Sequence, residues 1–317
     1  MKIVILDGYT LNPGDNPWDI LKPFGDLVIY DRTPDELIAS RASGAQVVLT
    51  NKTPITGDTL RHLPALKYIG VLATGYNVVD IAACRERGVV VCNVPEYGTA
   101  AVAQYVFALM LELAHRVGQH AEAVNSGGWS RSGEFSFWET PQRELSGLTL
   151  GILGYGRIGR RVATLGEAFG MQVQVTTRTQ PHEATVTTVE LPDLLATSDV
   201  LTLHCPSTPE TRGIISRANL ARMKSDAFLI NTARGDLVDE AALADALDQN
   251  KLGGAALDVV AAEPISDDHR LLGHPSCIIT PHMAWSALEA RQRLMQTTRD
   301  NLAAFIRNEP QNDVTAL

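Results

Sequence analysis

The sequence predicts an α/β protein built from two doubly wound parallel-sheet domains. A length of 317 residues is enough for two separate hydrophobic cores. Short apolar runs alternate with helical stretches along the chain, which is typical of parallel sheets covered on both faces. A long apolar helix divides this alternation into two series, and each series predicts one domain.

The first series occupies the chain up to about Pro95. Its predicted strands are Lys2–Leu6, Leu27–Tyr30, Val47–Leu49, Tyr68–Val71 and Val89–Cys92. Its predicted helices are Pro34–Ser40, Gly57–Arg61 and Val79–Arg87. Each strand is a short apolar run, and each helix is more polar than the strands beside it.

The apolar helix extends from Thr99 to about Gln119 and is rich in alanine. A helix this apolar has to be buried, either between domains or in a subunit interface. Residues 93–98, which come just before this helix, are predicted to form a hinge. The segment 126–146 is polar and glycine-rich and carries Trp129 and Trp138, so we interpret it as an arm that extends from the core.

The second series begins at Leu148. Its predicted strands are 148–153, Val173–Thr176, Val200–His204, Ala227–Asn231, Gly254–Asp258 and Cys277–Thr280. Its predicted helices are Arg160–Phe169, Leu191–Thr197, Arg217–Arg222 and Asp239–Asn250. A last helix, 286–307, is expected to return to the first domain. We therefore predict a discontinuous substrate domain of residues 1–97 and 286–317, and a dinucleotide-binding domain of residues 98–285.

A glycine-rich turn follows the first strand of the second series. Gly154, Gly156 and Gly159 form a GxGxxG pattern between that strand and the next helix. In this context the glycines permit a tight turn and a close approach of the backbone to a pyrophosphate at the helix N-terminus. The pattern predicts a dinucleotide site, and with it a Rossmann-like or flavodoxin-like domain.

The end of the next strand indicates which dinucleotide binds. Sites for NAD usually have an acidic residue there, which accepts a hydrogen bond from the ribose 2′-hydroxyl. Here Thr177, Arg178 and Thr179 occupy that place. Because a guanidinium attracts a 2′-phosphate and binds it through paired hydrogen bonds, we predict NADP(H) as the preferred cofactor and NAD(H) as a possible one. The alternative is that Arg178 is a solvated loop charge and that the site accepts NAD.

Composition argues against several other classes of protein. The net charge of −9 disfavours nucleic-acid binding and a basic membrane-surface helix. The four cysteines lack the CxxC spacing of zinc sites, so we expect no metal site and reduced thiols in the cytoplasm. No apolar run reaches the ~18 residues of a membrane span, and the apolar run at the N-terminus is too short for a signal peptide.

Three further polar residues follow predicted strands of the second series: Arg234, Glu263 and His282. Open α/β sheets bind ligands at the carboxyl ends of their strands. Taken singly, each residue has an ordinary structural explanation, such as a turn-end charge, a cap or a buried imidazole. Together they are the set that hydride transfer to a 2-keto acid needs. The guanidinium binds the carboxylate, the imidazole exchanges a proton with the C2 oxygen, and the glutamate orients the imidazole.

With these motifs the chain resembles the D-isomer-specific 2-hydroxyacid dehydrogenase family over nearly its whole length. The matching motifs are 154–159, 203–206 with 211–213, 231–235, Asp258 with Glu263-Pro264, and 280–282. The resemblance implies that Arg234, Glu263 and His282 carry catalysis. It also implies that Asp258 holds the nicotinamide carboxamide. Further implied cofactor contacts are Thr99, Arg157, Ile158, Cys205, Pro206, Thr211, Thr232 and Ala233.

The resemblance also offers an interpretation of the first domain. Residues 71–77 are similar to the family's substrate loop, with Ala73, Thr74 and Gly75 at the substrate carboxylate and Lys52 close to it. Together with Trp285, this loop is similar to the glycerate dehydrogenase/hydroxypyruvate reductase branch.

That branch implies reduction of hydroxypyruvate, and of glyoxylate, to the D-2-hydroxy acid by a homodimer. One alternative is another dehydrogenase of this scaffold, acting on lactate, phosphoglycerate, formate or phosphite. The other alternative is a dinucleotide-sensing binding protein similar to the corepressors built on this fold.

Overall fold

The structure is a computed structural model that describes residues 1–179 and 186–316. The chain divides into two compact units. The first comprises Met1–Gly98 and Trp285–Leu317, and the second comprises Thr99–Ala284. Each boundary thus lies one residue from its predicted position, and Gly98 and Trp285 belong to the first unit. Elements are numbered in chain order across both units.

The first unit is built on a five-stranded parallel sheet. Its strands are β1 (Lys2–Ile5), β2 (Asp26–Ile29), β3 (Val47–Thr50), β4 (Tyr68–Val71) and β5 (Val90–Cys92). Its helices are α1 (Ile38–Arg41), α2 (Gly57–Arg61), α3 (Ile81–Glu86) and α11 (Leu288–Ile306), with 3₁₀ turns at Trp18–Phe24 and Asp35–Leu37. The strand order β2-β1-β3-β4-β5 is that of flavodoxin-like sheets and has its switch point between β1 and β3.

Continuous burial explains why the strands of the first unit could be predicted. Every residue of β3 and β4 is buried, as expected for central strands of a parallel sheet. An ion pair fixes α11 to the N-terminal loop, because the guanidinium of the buried Arg291 bonds both carboxylate oxygens of the exposed Asp15 at 2.6 and 2.7 Å.

The second unit is built on a seven-stranded parallel sheet. Its strands are β6 (Thr149–Leu153), β7 (Gln172–Thr176), β8 (Thr187–Thr188), β9 (Val200–Leu203), β10 (Phe228–Asn231), β11 (Gly254–Leu257) and β12 (Cys277–Ile279). Its helices are α4 (Thr99–His115), α5 (Val117–Asn125), α6 (Gly128–Ser132), α7 (Arg157–Ala168), α8 (Leu191–Thr197), α9 (Arg217–Leu220) and α10 (Glu240–Asp248), with a 3₁₀ turn at Gly235–Leu237.

The strand order of this sheet is β12-β11-β10-β9-β6-β7-β8, which is the Rossmann order with one additional strand. The order reverses between β6 and β9, and this reversal is the switch point at which such sheets bind ligands. The predicted fold class, two doubly wound parallel-sheet units, is confirmed.

Two details of the second unit differ from the prediction. The apolar helix does not continue to Gln119, because Arg116 adopts a left-handed conformation with φ of 48° and separates α4 from α5. Strand β8 is not predicted by the sequence, since its two residues are exposed threonines without an apolar run.

Among the described residues, no single helix is long and apolar enough to cross a membrane. The pair α4 and α5, which is bent by 56°, meets that test when both are taken together.

Candidate active site

The three glycines of the GxGxxG turn have different structural roles. Gly154 has a φ of 99°, and a Cβ there would lie 2.5 Å from the backbone nitrogen of Cys205. A Cβ on Gly159 would lie 2.3 Å from the Gly154 carbonyl oxygen. Gly156, by contrast, is extended, and a Cβ there meets no described atom within 4 Å. Gly156 therefore leaves open space at the N-terminus of α7, where a phosphate can approach the backbone N–H groups.

Other predicted cofactor residues lie at neighbouring strand ends. Cys205 and Pro206 follow β9, and the Thr211 hydroxyl donates to the Pro206 carbonyl at 2.6 Å. Thr232 follows β10, and its buried Oγ1 has no hydrogen-bond partner in the described part of the chain. Arg157 and Ile158 begin α7, Ala233 follows Thr232, and Thr99 is the first residue of α4. A buried hydroxyl in need of a partner and the open space at Gly156 both fit a bound dinucleotide.

Thr177, Arg178 and Thr179 follow β7, the neighbour of β6 on the far side from β9. Arg178 is exposed, and its charge acts on Cys205, which follows β9 at the switch point. Burial raises the pKa of the Cys205 thiol, and the Arg178 guanidinium opposes that rise. Hydrogen bonds with the Thr208 side chain and with the backbone lower the pKa of the Glu210 carboxyl, and the charge of Arg178 contributes a smaller lowering. The Arg178 charge therefore lies close enough to the loop after β9 to act on groups within it.

The three predicted catalytic residues follow three adjacent strands. The parallel register pairs Asn231 of β10 with Leu257 of β11, and it pairs Leu257 with Ile279 of β12. Because these strand ends lie side by side, the loops that carry Arg234, Glu263 and His282 leave the sheet at one edge.

His282 and Glu263 form a direct hydrogen bond between Nδ1 and Oε2 at 2.7 Å. Their side chains are 27% and 36% exposed, respectively, so both remain accessible to a ligand. The Val260 N–H donates to the other Glu263 oxygen at 3.3 Å. Glu263 therefore fixes the orientation of the imidazole through Nδ1.

Four contacts that the sequence does not reveal hold these loops in place. The buried Asn231 side chain donates to the Arg234 carbonyl at 2.7 Å and accepts from the Ala233 N–H at 3.0 Å. The Ala261 N–H donates to Glu240 of α10 at 2.7 Å. A Cβ on Gly235 would lie within 2.5 Å of the Val260 and Ala261 backbone, so only glycine lets these two loops touch.

The predicted substrate residues of the first unit also lie at strand ends. Lys52 follows β3 and residues 73–75 follow β4, two strands whose last residues, Thr50 and Val71, are paired. The Asp7 carboxylate accepts hydrogen bonds from the N–H groups of residues 51–53 at 2.5 to 2.8 Å. This carboxylate fixes the turn that carries Lys52.

The loop after β4 is fixed by its own contacts. The Thr74 hydroxyl donates to the Val94 carbonyl at 3.0 Å, and the Asn93 side chain donates to the Thr74 carbonyl at 2.7 Å. The Trp285 ring packs edge-on against Tyr97, with a centroid distance of 6.3 Å.

Comparison with known proteins identifies the family. Residues 107–284 match the model of the D-isomer specific 2-hydroxyacid dehydrogenase NAD-binding domain. The chain belongs to the D-isomer specific 2-hydroxyacid dehydrogenase family. The resemblance predicted from the motifs is thereby confirmed, and the nucleotide-binding unit of the dehydrogenase is the one that carries the glycine-rich turn.

Two relatives match over the full chain. A hydroxypyruvate reductase of Blautia hydrogenotrophica is 45% identical, with 99% of each chain covered. A glycerate dehydrogenase of Methylorubrum extorquens is 43% identical, also with 99% of each chain covered. Among solved structures, an acyclic imino acid reductase in complex with NADPH and D-arginine superposes with a TM-score of 0.87 at 29% identity, covering 99% of this chain and 100% of that one.

Proposed function

We propose that this dehydrogenase reduces hydroxypyruvate, and with it glyoxylate, to the D-2-hydroxy acid. The observation that carries the proposal is the 2.7 Å bond between His282 and Glu263, at the sheet edge that also carries Arg234. The names of the two full-length relatives support the choice of substrate. A cytoplasmic location stays a prediction.

The proposed chemistry assigns one role to each residue. A reduced nicotinamide cofactor, when bound, supplies the hydride that adds to C2 of the keto acid. His282 in its protonated form donates a proton from Nε2 to the C2 oxygen as that oxygen gains charge. Glu263 keeps Nδ1 protonated and the ring aligned. Arg234 binds the substrate carboxylate through paired hydrogen bonds and polarises the carbonyl group.

We propose that Lys52, the backbone of Ala73, Thr74 and Gly75, and the Trp285 ring contribute to substrate binding. Two observations support this proposal. Lys52 and residues 73–75 follow the paired strands β3 and β4, and the Trp285 ring packs against Tyr97. The turn that carries Lys52 is held by Asp7, so its backbone is already ordered. A preformed turn of this kind reduces the entropy that the protein loop has to lose when a small ligand binds.

The central experiment compares His282→Ala with His62→Ala, an exposed histidine of the first unit. General acid catalysis contributes about 10²–10⁴-fold, so His282→Ala is expected to lower kcat by about that factor. His62→Ala is expected to retain the rate of the unmodified protein. Near-normal kcat in His282→Ala would contradict the mechanism, and absence of turnover with any keto acid in the unmodified protein would favour a binding protein.

We further propose that the enzyme prefers NADP(H). No acidic residue stands in the three positions directly after β7, and the charge of Arg178 acts on Cys205 in the loop after β9. Initial rates with NADPH and NADH at saturating hydroxypyruvate measure the preference. Arg178→Asp is expected to shift it toward NADH, while Arg222→Asp, an exposed charge of the same unit, is expected to leave it unchanged. An unchanged preference in Arg178→Asp would show that the residue does not contact the 2′-phosphate.

We also propose a homodimer that pairs through the segment of α5, α6 and the residues after them. Trp129, Phe135 and Trp138 are 49%, 91% and 66% exposed there, which is unusual for such large apolar side chains. Light scattering at micromolar concentration is expected to give twice the 34.3 kDa mass of the chain. Phe135→Glu is expected to reduce that mass, whereas a monomer in the unmodified protein would contradict the proposal.

A further inference from the structure

Asp258 directly follows β11, and its carboxylate accepts hydrogen bonds from other residues of the protein. The side chain is buried, at 1% exposure. Its Oδ1 accepts hydrogen bonds from the Thr280 hydroxyl at 2.7 Å and from the Met283 N–H at 2.9 Å. Its Oδ2 accepts a hydrogen bond from the Ala284 N–H at 2.8 Å. A carboxylate offers about four acceptor sites, so most of the capacity of Asp258 is spent on residues 280–284.

His282 lies between these donors and has an unusual backbone. Its φ is 51°, in the left-handed region that residues with a Cβ rarely adopt. Its N–H donates to the Asp258 carbonyl oxygen at 2.8 Å. Asp258 therefore contacts the chain before His282, at His282 and after it, and such contacts are what allow a strained residue to persist at a functional site.

We propose that Asp258 and Thr280 are positioning residues that aim the His282 imidazole at Glu263. The inference rests on the proposed function of His282 as the proton donor. It adds to the role that the family resemblance implies, in which Asp258 also contacts the nicotinamide carboxamide. The two roles are distinguishable, because a positioning residue acts on the rate and a cofactor contact acts on the affinity for the cofactor.

Different contacts hold the two sides of the His282–Glu263 bond. The Glu263 loop is fixed by the Val260 N–H and by the contact between Ala261 and Glu240. The His282 turn is fixed by Asp258. Loss of Asp258 thus moves the imidazole and leaves the glutamate in place. A displacement of about 1 Å is enough to cost on the order of 10²-fold in rate at a site that requires exact geometry.

The first test uses a matched pair at Thr280, a residue whose change leaves the buried carboxylate in place. Thr280→Val keeps the shape and removes the hydroxyl donor. Its kcat is expected to fall about tenfold, less than the loss of the whole carboxylate would cost, because one of the three hydrogen bonds to that carboxylate is removed. Thr280→Ser restores that donor and is expected to recover most of the loss. The dissociation constant of NADPH, measured by tryptophan fluorescence, is expected to change less than about twofold in both, since neither removes a cofactor contact.

Asp258→Asn tests the carboxylate itself, because its amide places donors against the N–H of Ala284. Its kcat is expected to fall by about 10²-fold, with the dissociation constant of NADPH again nearly unchanged. A rise of more than about tenfold in that constant, with normal kcat at saturating NADPH, would overturn the proposal and favour a cofactor contact. If Asp258→Asn does not fold, the Thr280 pair decides.

A spectroscopic measurement on the cofactor-free protein separates this inference from the proposed function. With ¹⁵N-labelled histidine, the Nδ1 signal of His282 reports its hydrogen bond to Glu263, and His282→Gln identifies the signal. We expect Thr280→Val and Asp258→Asn to lose the hydrogen-bonded signature and Thr280→Ser to keep it. An unchanged signature in Asp258→Asn would refute the positioning role. If His282→Ala retained normal turnover, the proposed function would fail, whereas the signature would still test the positioning.

Discussion

Gly156→Ala and Gly159→Ala change two glycines of one turn, and the structure predicts opposite effects. At Gly156 the backbone is extended, with φ of −82° and ψ of −160°, and an added methyl group meets no described atom within 4 Å. At Gly159 the methyl group would lie 2.3 Å from the Gly154 carbonyl oxygen. Gly156→Ala should therefore leave the stability of the fold intact and weaken ligand binding, while Gly159→Ala should reduce the stability of the fold.

The magnitudes follow from these contacts. Gly156→Ala restricts the unfolded chain without straining the folded one, which is expected to raise the free energy of unfolding by about 0.4–1 kcal/mol. Gly159→Ala has to open the turn by about 1 Å, and overpacking of this kind costs about 1–3 kcal/mol. Alanine's better helix propensity offsets about 1 kcal/mol of that cost. We therefore expect Gly159→Ala to be the less stable variant by about 2 kcal/mol.

Cofactor affinity should fall in Gly156→Ala, the variant that keeps its stability. The methyl group of Gly156→Ala occupies the space in which a phosphate would meet the α7 N-terminus. Loss of one hydrogen bond to a charged phosphate costs about 1.5–3 kcal/mol, which raises the dissociation constant of NADPH by about 10–100-fold. Gly156→Ala should thus be at least as stable as the unmodified protein and bind NADPH much less tightly.

Urea unfolding of the cofactor-free protein, followed by circular dichroism, measures the first effect, and quenching of tryptophan fluorescence by NADPH measures the second. Gly118→Ala on α5 is the control, because its methyl group would contact only a flexible side-chain oxygen of Glu112 at 3.4 Å. The reasoning is refuted if Gly156→Ala loses stability, or if it binds NADPH with the affinity of the unmodified protein.

Three further predictions concern the site and its sheet. Arg234→Lys keeps the charge but loses the paired hydrogen bonds, so initial rates should show kcat/KM reduced by about 10–100-fold, mainly through KM. Burial raises the pKa of the Asp199 carboxyl, but hydrogen bonds from Lys224 and the backbone outweigh it and leave that pKa lowered. In urea unfolding, Asp199→Asn should therefore cost about 2–3 kcal/mol at pH 7, and the difference should vanish as the pH falls below about 4. Burial lowers the pKa of His204 to about 3, whereas an unfolded histidine takes up a proton below about pH 6.5. The protein should therefore lose up to about 1.4 kcal/mol of stability per pH unit below that value, and His204→Gln should lose less.

Much of the fold could be predicted because the central strands are buried on both faces. Every residue of strands β3, β4, β9, β10 and β11 is buried, and their mostly apolar sequences show them directly. The break at Arg116 could not be predicted, since an arginine ordinarily continues a helix and the nearby Gly118 lies inside α5 and not at the break. The pairing of β8 with β7 likewise depends on the sheet and not on the two exposed threonines that form it.

The site shows the same division. The residue types and sequence positions of Arg234, Glu263 and His282 are enough to indicate chemistry, because polar residues after apolar strands lie at the ligand-binding edge of such sheets. The contacts that hold these residues leave no signal in the sequence. Asn231 and Asp258 have the sequence pattern of strand ends, and their hydrogen bonds to the following turns depend on the folded geometry.

The order of the strands explains why Glu263, and not Arg234, pairs with His282. Strand β11 lies between β10 and β12 in the sheet, so the loop that carries Glu263 leaves the edge between the other two. Its glutamate can therefore reach the histidine on one side, while Gly235 brings the Arg234 turn against the same loop on the other side. The glutamate loop is consequently the shared support of the other two residues, and changes in it should affect both the proposed proton donor His282 and the proposed carboxylate-binding residue Arg234. Because β11 pairs directly with β12, Asp258 at the end of β11 also lies beside the turn that carries His282 and can hold it through residues 280–284.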